Sequence, residues 1–371
     1  MKNRNLYLGI FLAILSIMGI LIYNLVPDFE TTEFNQDAIV QISEGSTTTA
    51  IEENTPTTTT LDEVDEVDEI IEIEQSEIDL LLENNTTTDI SQLFDTYLLI
   101  GIDRRSESSS LSRGFVKGQR ADVIILALIS KNNDDISLVS LPRDLLIKNP
   151  CTQEIQRINS TFQQNDCGNS AENLSATILN ITGLLVDHFA LFTFEGFENI
   201  IDSLEGVEIC VEESQREGYS FELNKGCQVV SGEIALNWVV SRNTEVLVGE
   251  KILDENGNDA STWKPMPGVS DLYRVKKQQQ IVISLLNRLN EFNSYTDLYN
   301  LINALELTFT IDESLTLPNA TQILWGYRNF DFSKIKKLTV PTNPYRTDDG
   351  KEVLILSSNF YDFITSQGLL D

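Results

Sequence analysis

The sequence of 371 residues is short of basic side chains and contains a single histidine. Its formal net charge is −31, and residues 27–95 hold 20 acidic side chains without one Lys or Arg. Such an excess repels phosphate at long range, which argues against a non-specific nucleic-acid binder, because those proteins depend on Lys and Arg. It also argues against a protein that lies on an anionic membrane surface.

The sequence motifs of several common enzyme classes are missing as well. The chain has no P-loop, no G-x-G-x-x-G, no H-E-x-x-H and no G-x-S-x-G motif. Conventional nucleotide binding, zinc-dependent hydrolysis and serine hydrolysis therefore lose their usual support in the sequence. The one histidine, His188, lies inside an apolar strand-like segment, so we expect it in the core or at its rim rather than as a catalytic base.

The four cysteines do not form a C-x-x-C pair, which disfavours a thiolate zinc site. Outside the cytoplasm four cysteines usually form two disulfides, and three pairings are possible. The sequential spacing favours two local loops, closed by Cys151–Cys167 and Cys210–Cys227. Buried free thiols are the alternative.

The only long apolar run covers residues 6–26, which are 21 residues without a charge. A helix of about 20 apolar residues spans the hydrocarbon core of a bilayer. Lys2 and Arg4 precede the run and acidic residues follow it, so we expect the N-terminus inside and the rest exported. Because the run is long and lacks an A-x-A-like cleavage site, we expect an uncleaved anchor after a cytoplasmic tip at 1–5.

The composition changes twice after this run. Residues 27–93 are rich in Thr, Glu and Asp, which predicts an extended, self-repelling linker without chemistry of its own. From Phe94 onward, apolar runs such as ADVIILALIS predict strands buried on both faces, and segments with helical spacing alternate with them. The class is therefore α/β or α+β with layers on both faces of a sheet. We expect residues 94–290 to form a domain that 291–371 completes.

Aspartate and arginine side chains recur at the ends of the predicted strands. They occur in the segments GID at 101–103, RAD at 120–122 and LPRD at 141–144, and later at Arg157, Ser241-Arg242 and in the segment 271–278. Carboxylates suit a hard cation such as Mg²⁺, and the forked guanidinium group suits phosphate. Together they predict a site for a metal-bound pyrophosphate, whereas each one alone is consistent with a surface ion pair.

The order of these segments resembles the LytR-CpsA-Psr family. The resemblance covers roughly residues 94–290 and rests on YLLIGIDRR, QRADVIILALI, ISLVSLPRDLLI, GLLVDHFALFTFEGFENIIDSLEGV, VSGEIALNWVVSR and DLYRVKKQQQ. Members of this family transfer anionic glycopolymers from a polyprenyl-pyrophosphate carrier onto peptidoglycan. The resemblance implies a membrane-anchored extracytoplasmic domain with an α-β-α layered fold. A mixed central sheet would lie between the helical layers, with an apolar tunnel for the polyprenyl chain.

The resemblance also implies roles for individual residues. Asp103 and Asp122 would hold Mg²⁺ or Mn²⁺. Asp271 would orient the arginines or act as general base toward a muramyl hydroxyl, and with Arg242 and Arg274 it forms the predicted catalytic set. The side chains implied to grip the pyrophosphate are Arg120, Arg143, Arg157, Arg242, Arg274 and Gln278.

Two positions depart from the family pattern. Val240 stands where the family's R-x-R has its first arginine, and Lys277 stands where the family has the arginine of an R-Q pair, which keeps the charge but loses the fork. The long segment 243–270 could form a lid or an insertion. Two alternatives follow: a weakened member that binds polyprenyl phosphates or wall polymer without turnover, and a lipid pyrophosphate hydrolase.

Overall fold

The architecture comes from a computed structural model, which describes residues 30–44, 88–103, 120–132, 135–256, 258–266, 271–304, 309–347 and 350–370. The predicted cytoplasmic tip and membrane anchor lie outside these ranges. Among the helices of the described residues, none is both long enough and apolar enough to cross a membrane.

Helices and strands alternate along most of the described chain. The helices are α1 (Gln36–Glu44), α2 (Ser170–Thr182), α3 (Phe194–Ser203), α4 (Gly232–Val240), α5 (Asp271–Arg288), α6 (Tyr295–Ala304), α7 (Leu317–Gly326) and α8 (Phe360–Ser366). The strands are β1 (Glu30–Thr32), β2 (Phe94–Ile102), β3 (Ala121–Ser130), β4 (Ile136–Ser140), β5 (Leu146–Lys148), β6 (Ile155–Arg157), β7 (His188–Thr193), β8 (Val207–Val211), β9 (Gln215–Glu217), β10 (Phe221–Leu223), β11 (Gly226–Val230), β12 (Glu245–Val248), β13 (Thr262–Pro265), β14 (Phe309–Asp312), β15 (Lys336–Thr339), β16 (Thr342–Arg346) and β17 (Glu352–Leu356).

The central sheet has seven strands in the order β1-β14-β7-β2-β3-β4-β15. The pairs β1–β14, β7–β2 and β4–β15 are parallel, and the other three pairs are antiparallel. The sheet is therefore mixed, as the resemblance implied. The C-terminal part contributes β14 and β15 to the same sheet.

Helices cover both faces of this sheet. On β3, Ile124, Leu126 and Leu128 face a buried cluster that includes α2 and α8. Val123 and Ile125 face the opposite cluster, which includes apolar residues of α5, α6 and α7. Because successive side chains of a strand point to opposite faces, a strand buried on both sides needs a continuous apolar run. This confirms the predicted three-layer α-β-α arrangement.

Local signals set the ends of α2. Asn169 accepts from the backbone N–H groups of Ala171 and Glu172, and the Glu172 carboxylate accepts from the backbone N–H of Asn169 in return. This reciprocal pair is a capping box, which satisfies N–H groups that the first helical turn leaves without partners. At the other end Gly183 adopts a φ of 71°, a left-handed conformation that glycine reaches without steric cost. The predicted helix end near Gly183 is confirmed.

Both predicted disulfides are present. Cys151 bonds to Cys167, and Cys210 bonds to Cys227. Cys210 and Cys227 lie directly opposite each other on the antiparallel strands β8 and β11. The local pairing is thus confirmed over its two alternatives.

The linker prediction is wrong for residues 30–44. These residues form β1, which adds an edge strand beside β14, and α1, whose Ile39 and Ile42 pack against Ala176 of α2. The Glu172 carboxylate also accepts from the backbone N–H of Asn35 at 3.0 Å. A few apolar residues at helical spacing outweigh the acidic composition because they bury their side chains on α2. Residues 45–87 lie outside the described ranges.

The segment 243–270 forms neither an open loop nor a separate unit over its described part. Its strands β12 and β13 pair as a hairpin, and β12 also pairs with β9 in the sheet β10-β9-β12-β13. Arg216 of β9 forms ion pairs with both parts of this segment. Its Nε lies 2.9 Å from Glu245 Oε2, and its Nη1 lies 2.8 Å from Asp259 Oδ2. The described part of the segment therefore contributes a hairpin to a four-stranded sheet.

Candidate functional site

The predicted site residues converge because of how three strands run. β2 and β4 are both antiparallel to β3, so the end of β2, the start of β3 and the end of β4 meet at one edge of the sheet. These three positions carry Asp103, Asp122 and the loop with Arg143. The topology brings together residues that are up to 40 positions apart in the sequence.

A β-bulge changes the backbone at Asp122. Gly101 pairs with Val123, but Ile102 pairs with Ala121, so Asp122 is the extra residue opposite Ile102. Bulges of this kind redirect a side chain and are common next to active sites. Gly101 is required beside the bulge, because a Cβ there would come within 2.9 Å of the Phe192 and Val123 side chains.

Two carboxylates organise the arginines of this edge. Arg143 Nη1 lies 2.5 Å from Asp122 Oδ1, and Arg143 Nε lies 3.6 Å from Asp144 Oδ2. The other oxygen of Asp144 is 3.3 Å from Arg157 Nη1, and Arg157 also donates to the carbonyl of Glu352. Asp144 therefore orients two arginines, a role that the resemblance assigns to Asp271. The adjacent Arg-Asp in the LPRD segment was the signal for it.

Arg274, in the first turn of α5, lies beside the same groups. Its pKa is lowered to about 10, first by burial and then by the positive charges of Arg143 and Arg242. Asp144 and Asp122 act in the opposite direction. We call Arg143, Arg242 and Arg274 the arginine cluster. Two further guanidinium groups and two carboxylates thus act on Arg274, and a group of forked donors of this kind suits an anion.

The remaining predicted residues surround this cluster less closely. Arg120 is exposed immediately before β3, and Asp103 is exposed immediately after β2. Gln278 follows Arg274 by four residues on α5, which places the two on one face of the helix. Asp271 is the first residue of α5, and the structure describes its backbone only.

The carboxylates at the strand ends are of the ligand type that hard cations prefer. Asp103 and Asp122 each follow one member of the pair Ile102–Ala121, so both residues lie at the same end of the β2–β3 pair. Two carboxylates suffice for Mg²⁺ when phosphate oxygens and water complete its shell. Among the described residues, the one group of three potential ligand side chains is Glu208, Cys210 and Cys227. Its two cysteines are disulfide-bonded and cannot ligate as thiolates.

The ammonium group of Lys277 makes internal hydrogen bonds. Its side chain is 2% exposed, and its ammonium group donates to the carbonyl of Trp238 at 2.9 Å and to Thr244 Oγ1 at 3.0 Å. The position that carries a phosphate-gripping fork in the family pattern therefore carries an internal contact here. The sequence identified the substitution, but it gave no indication that the lysine is buried.

His188 lies at the opposite end of the sheet, at the start of β7. Its Nδ1 is 3.2 Å from Asp312 Oδ1 and 3.2 Å from Ser314 Oγ. The imidazole lines a cavity of about 810 Å³ together with Tyr97. Tyr97 and Asp103 are six residues apart along β2 and its end, so this cavity lies about 20 Å from the end of the sheet that carries Asp103. His188 is a rim residue, as expected, and both partners share one ring nitrogen, which is not the arrangement of a catalytic triad.

The sequence has relatives among known proteins. Residues 55–250, more than half of the chain, match the model of the LytR_cpsA_psr family. A probable cell wall biosynthesis protein, LcpB of Corynebacterium glutamicum, is 26% identical over 58% of this chain and 48% of LcpB. The polyisoprenyl-teichoic acid–peptidoglycan teichoic acid transferase TagU of Halalkalibacterium halodurans is 22% identical over 62% of this chain and 64% of TagU. The matches thus span between about half and just under two-thirds of these relatives.

Solved structures share the fold. TagV of Bacillus subtilis aligns with a TM-score of 0.56 at 18% identity, over 76% of this chain and 99% of TagV. A LytR-Csp2A-Psr enzyme from Actinomyces oris aligns with a TM-score of 0.53 at 22% identity, over 76% of this chain and 95% of that enzyme. Because the family model matches more than half of the sequence, this chain belongs to the LytR-CpsA-Psr family.

Proposed function

We propose that this protein is a membrane-anchored, extracytoplasmic phosphotransferase. It would move an anionic glycopolymer from a polyprenyl-pyrophosphate carrier to peptidoglycan. TagU, a relative, is named as a transferase of teichoic acid to peptidoglycan, which supports the class of reaction. The apolar run at 6–26 supports the anchor and the two disulfides support a location outside the cytoplasm.

The observation that carries the proposal is the arginine cluster beside two carboxylates. The charges of Arg143 and Arg242 both act on Arg274, although the chain as a whole is strongly acidic. Gathering like charges costs free energy that an anionic ligand would recover. A pyrophosphate offers several oxygens to the paired N–H groups of guanidinium forks.

The proposed reaction is a phosphoryl transfer. The oxygen of an acceptor hydroxyl attacks the phosphorus that bears the glycopolymer, the bridging P–O bond breaks, and polyprenyl phosphate leaves. Asp271 would accept the proton of the hydroxyl or orient the arginines. The cluster would hold the pyrophosphate in line and stabilise the negative charge that builds on the leaving phosphate. Asp144 keeps Arg143 and Arg157 in place for this task.

Asp103 and Asp122 would hold the divalent cation, Mg²⁺ or Mn²⁺. When bound, the cation would neutralise charge on the phosphate oxygens. The polyprenyl chain would lie along the sheet face that α5, α6 and α7 cover. Many apolar side chains of that layer, such as Leu99, Phe192 and Ile283, are only partly buried, which leaves apolar surface for a lipid chain.

A transfer assay tests the proposal. Purified full-length protein in detergent is given a labelled, lipid-linked glycopolymer, peptidoglycan and Mg²⁺. Label is expected to appear in the peptidoglycan, and Arg274→Ala is expected to prevent it. Label released from the lipid without any acceptor would indicate a lipid pyrophosphate hydrolase. Absence of both products with several polymer donors would contradict the proposal.

A second candidate is a weakened member that binds polyprenyl phosphates or wall polymer without turnover. Two observations favour it: Val240 replaces one arginine of the family pattern, and the buried Lys277 cannot replace the other. Val240 ends α4, two residues before Arg242, so Val240→Arg would add a guanidinium next to the cluster. Transfer that appears only in this variant would support the second candidate, and transfer by the wild-type protein would exclude it.

A further inference from the structure

Lys277 is buried on α5, three residues after Arg274. Three aromatic rings, which we call the aromatic box, lie around its ammonium group: Tyr273 at 5.1 Å, Trp238 at 5.3 Å and Phe221 at 6.0 Å. Ring faces attract a cation and partly offset the loss of water. A buried lysine still costs free energy, so its direct contacts require an explanation.

Those contacts connect α5 to the end of α4. The carbonyl of Trp238 belongs to the last turn of α4, where carbonyl groups lack partners within the helix. The ammonium of Lys277 donates to this carbonyl at 2.9 Å, which the negative end of the helix dipole favours. Its second hydrogen bond goes to Thr244 Oγ1 at 3.0 Å, four residues after the helix ends.

These two contacts bracket Arg242. The turn at 241–244 begins directly after α4 and contains Arg242 as its second residue. Within the turn the hydroxyls of Ser241 and Thr244 lie 2.8 Å apart, and the Glu217 carboxylate accepts from the backbone N–H of Asn243 at 3.3 Å. Arg242 itself is exposed, so its position depends on how firmly this turn is held.

The aromatic box is fixed by its own hydrogen bonds. The indole of Trp238 donates to Gln215 Oε1 at 2.9 Å, and Gln215 Nε2 donates to the hydroxyl of Tyr273 at 3.0 Å. Trp238 lies on α4, Gln215 on β9 and Tyr273 on α5. The hydrogen bonds of Gln215 to Trp238 and Tyr273 therefore join three elements, and Lys277 connects this network to the 241–244 turn.

We propose that Lys277 is a positioning residue, which holds the 241–244 turn so that Arg242 stays beside Arg143 and Arg274. The proposed function enters only through the assumption that the arginine cluster binds pyrophosphate. Lys277 and Arg274 are three residues apart on α5, so one helix supplies both a member of the cluster and the residue that holds another member. Lys277, which departs from the family pattern, thus makes a structural contact.

A double-mutant cycle tests this inference. The probe is a soluble, short-chain polyprenyl diphosphosugar, and its affinity is measured by calorimetry for Lys277→Met, Arg242→Ala and the combination. Lys277→Met is expected to weaken binding about tenfold in the wild-type background and less than about twofold when Arg242 is already alanine. Lys277→Arg is expected to restore most of the affinity. Equal losses in both backgrounds, or no loss, would overturn the inference.

Two matched variants control for general damage. Gln279, another buried polar residue of α5, donates to Ser140 Oγ and the carbonyl of Leu338 on the other side of the helix. Gln279→Met is expected to combine additively with Arg242→Ala. Thr244→Val removes one end of the Lys277 contact with little change of shape, and it is expected to show the same coupling to Arg242 if Lys277→Met does not fold.

Hydrogen–deuterium exchange gives a readout that needs no ligand. Peptides covering 241–248 are expected to exchange faster in Lys277→Met and Thr244→Val than in wild type, and unchanged in Gln279→Met. Unchanged exchange in both of the first two variants would overturn the positioning role. If the wild-type protein failed to bind the probe while exchange behaved as expected, the proposed function would fail and the positioning of Arg242 would stand.

Discussion

The guanidinium of Arg143 donates to the carboxylate of Asp122, with Nη1 2.5 Å from Oδ1. Asp122 is also one of the two carboxylates proposed to hold the cation. A cation that binds Asp122 competes with this ion pair and frees donors of Arg143 for a pyrophosphate. Metal and substrate should therefore bind cooperatively, since each favours the arrangement that the other requires.

This coupling gives the first prediction. Saturating Mg²⁺ is expected to tighten binding of the short-chain diphosphosugar about tenfold in the wild-type protein and to have no effect in Asp122→Asn. Calorimetric titrations with and without the cation measure it. Asp95→Asn, at the opposite end of β2, is the matched control and should keep the response to Mg²⁺. A wild-type affinity that does not depend on the cation would contradict the assignment of Asp122.

The second prediction concerns Arg274. Arg274→Ala is expected to weaken binding of the same probe roughly 10- to 100-fold, because it removes charge-assisted hydrogen bonds from a partly desolvated site. The affinity of Arg274→Lys for the probe should lie between those of wild type and Arg274→Ala, since lysine keeps the charge but lacks the forked guanidinium group. Arg328 stacks on Trp325 at 4.2 Å, away from the cluster, so Arg328→Ala should bind like wild type. Equal affinities of all three variants would count against the site.

The third prediction is a pH dependence of stability. Burial, and the charge of Arg274, lower the pKa of Lys277 to about 8 from its ordinary 10.5, although Glu217 acts in the opposite direction. Between those values the unfolded chain binds the proton and the folded protein does not, so the free energy of unfolding rises with pH. The free energy of unfolding of the wild-type protein, relative to that of Lys277→Met, should rise by on the order of 2 kcal/mol between pH 8 and 9.5.

Denaturant titrations of both proteins across this range measure the difference. Lys276→Met removes the exposed neighbouring lysine of the same helix and serves as the control. A difference between wild type and Lys277→Met that stays constant with pH would show that Lys277 is not buried as described.

The fourth prediction uses the only histidine of the chain. The hydrogen bond to Asp312 raises the pKa of His188 above 6.5, although burial acts in the opposite direction. The protonated ring is favoured in the folded state, so this contribution to stability is fully present below pH 6.5. It is lost as the pH rises through the higher pKa of the folded protein.

The imidazole resonances of His188 are unique in the NMR spectrum, since no other histidine contributes. Their titration is expected to give a pKa above 6.5 in the wild-type protein and a lower value in Asp312→Asn. A wild-type midpoint below 6.5 would contradict the contact with Asp312.

Much of the fold could be predicted from the sequence because its strands are buried on both faces. The residues 123–129 are apolar without interruption, and they form the interior of β3, Ala121–Ser130. The location of Asp103 and Asp122 at one end of the sheet could be predicted for a related reason, since they end or begin such runs. The pairing order, the mixture of parallel and antiparallel strands, and the bulge at Asp122 arise from contacts between distant segments.

Other features could not be predicted, because the local composition indicates a different structure or role. Residues 30–44 share the acidity of the following segment, and only their packing on α2 reveals β1 and α1. Lys277 has the charge expected of a phosphate ligand, but its position on α5 places its ammonium group among the rings of the aromatic box. The contact of Asp144 with Arg143 could be predicted because the two are neighbours in the sequence. Its contact with Arg157 depends on the pairing of β5 with β6, which the sequence does not reveal.

A crystal structure with the short-chain polyprenyl diphosphosugar and Mg²⁺ tests the central claim most directly. The account predicts pyrophosphate oxygens in contact with Arg143, Arg242 and Arg274, and a cation between those oxygens and the carboxylates of Asp103 and Asp122. A pyrophosphate bound elsewhere, for example in the cavity beside His188, with the arginine cluster free of ligand, would contradict it.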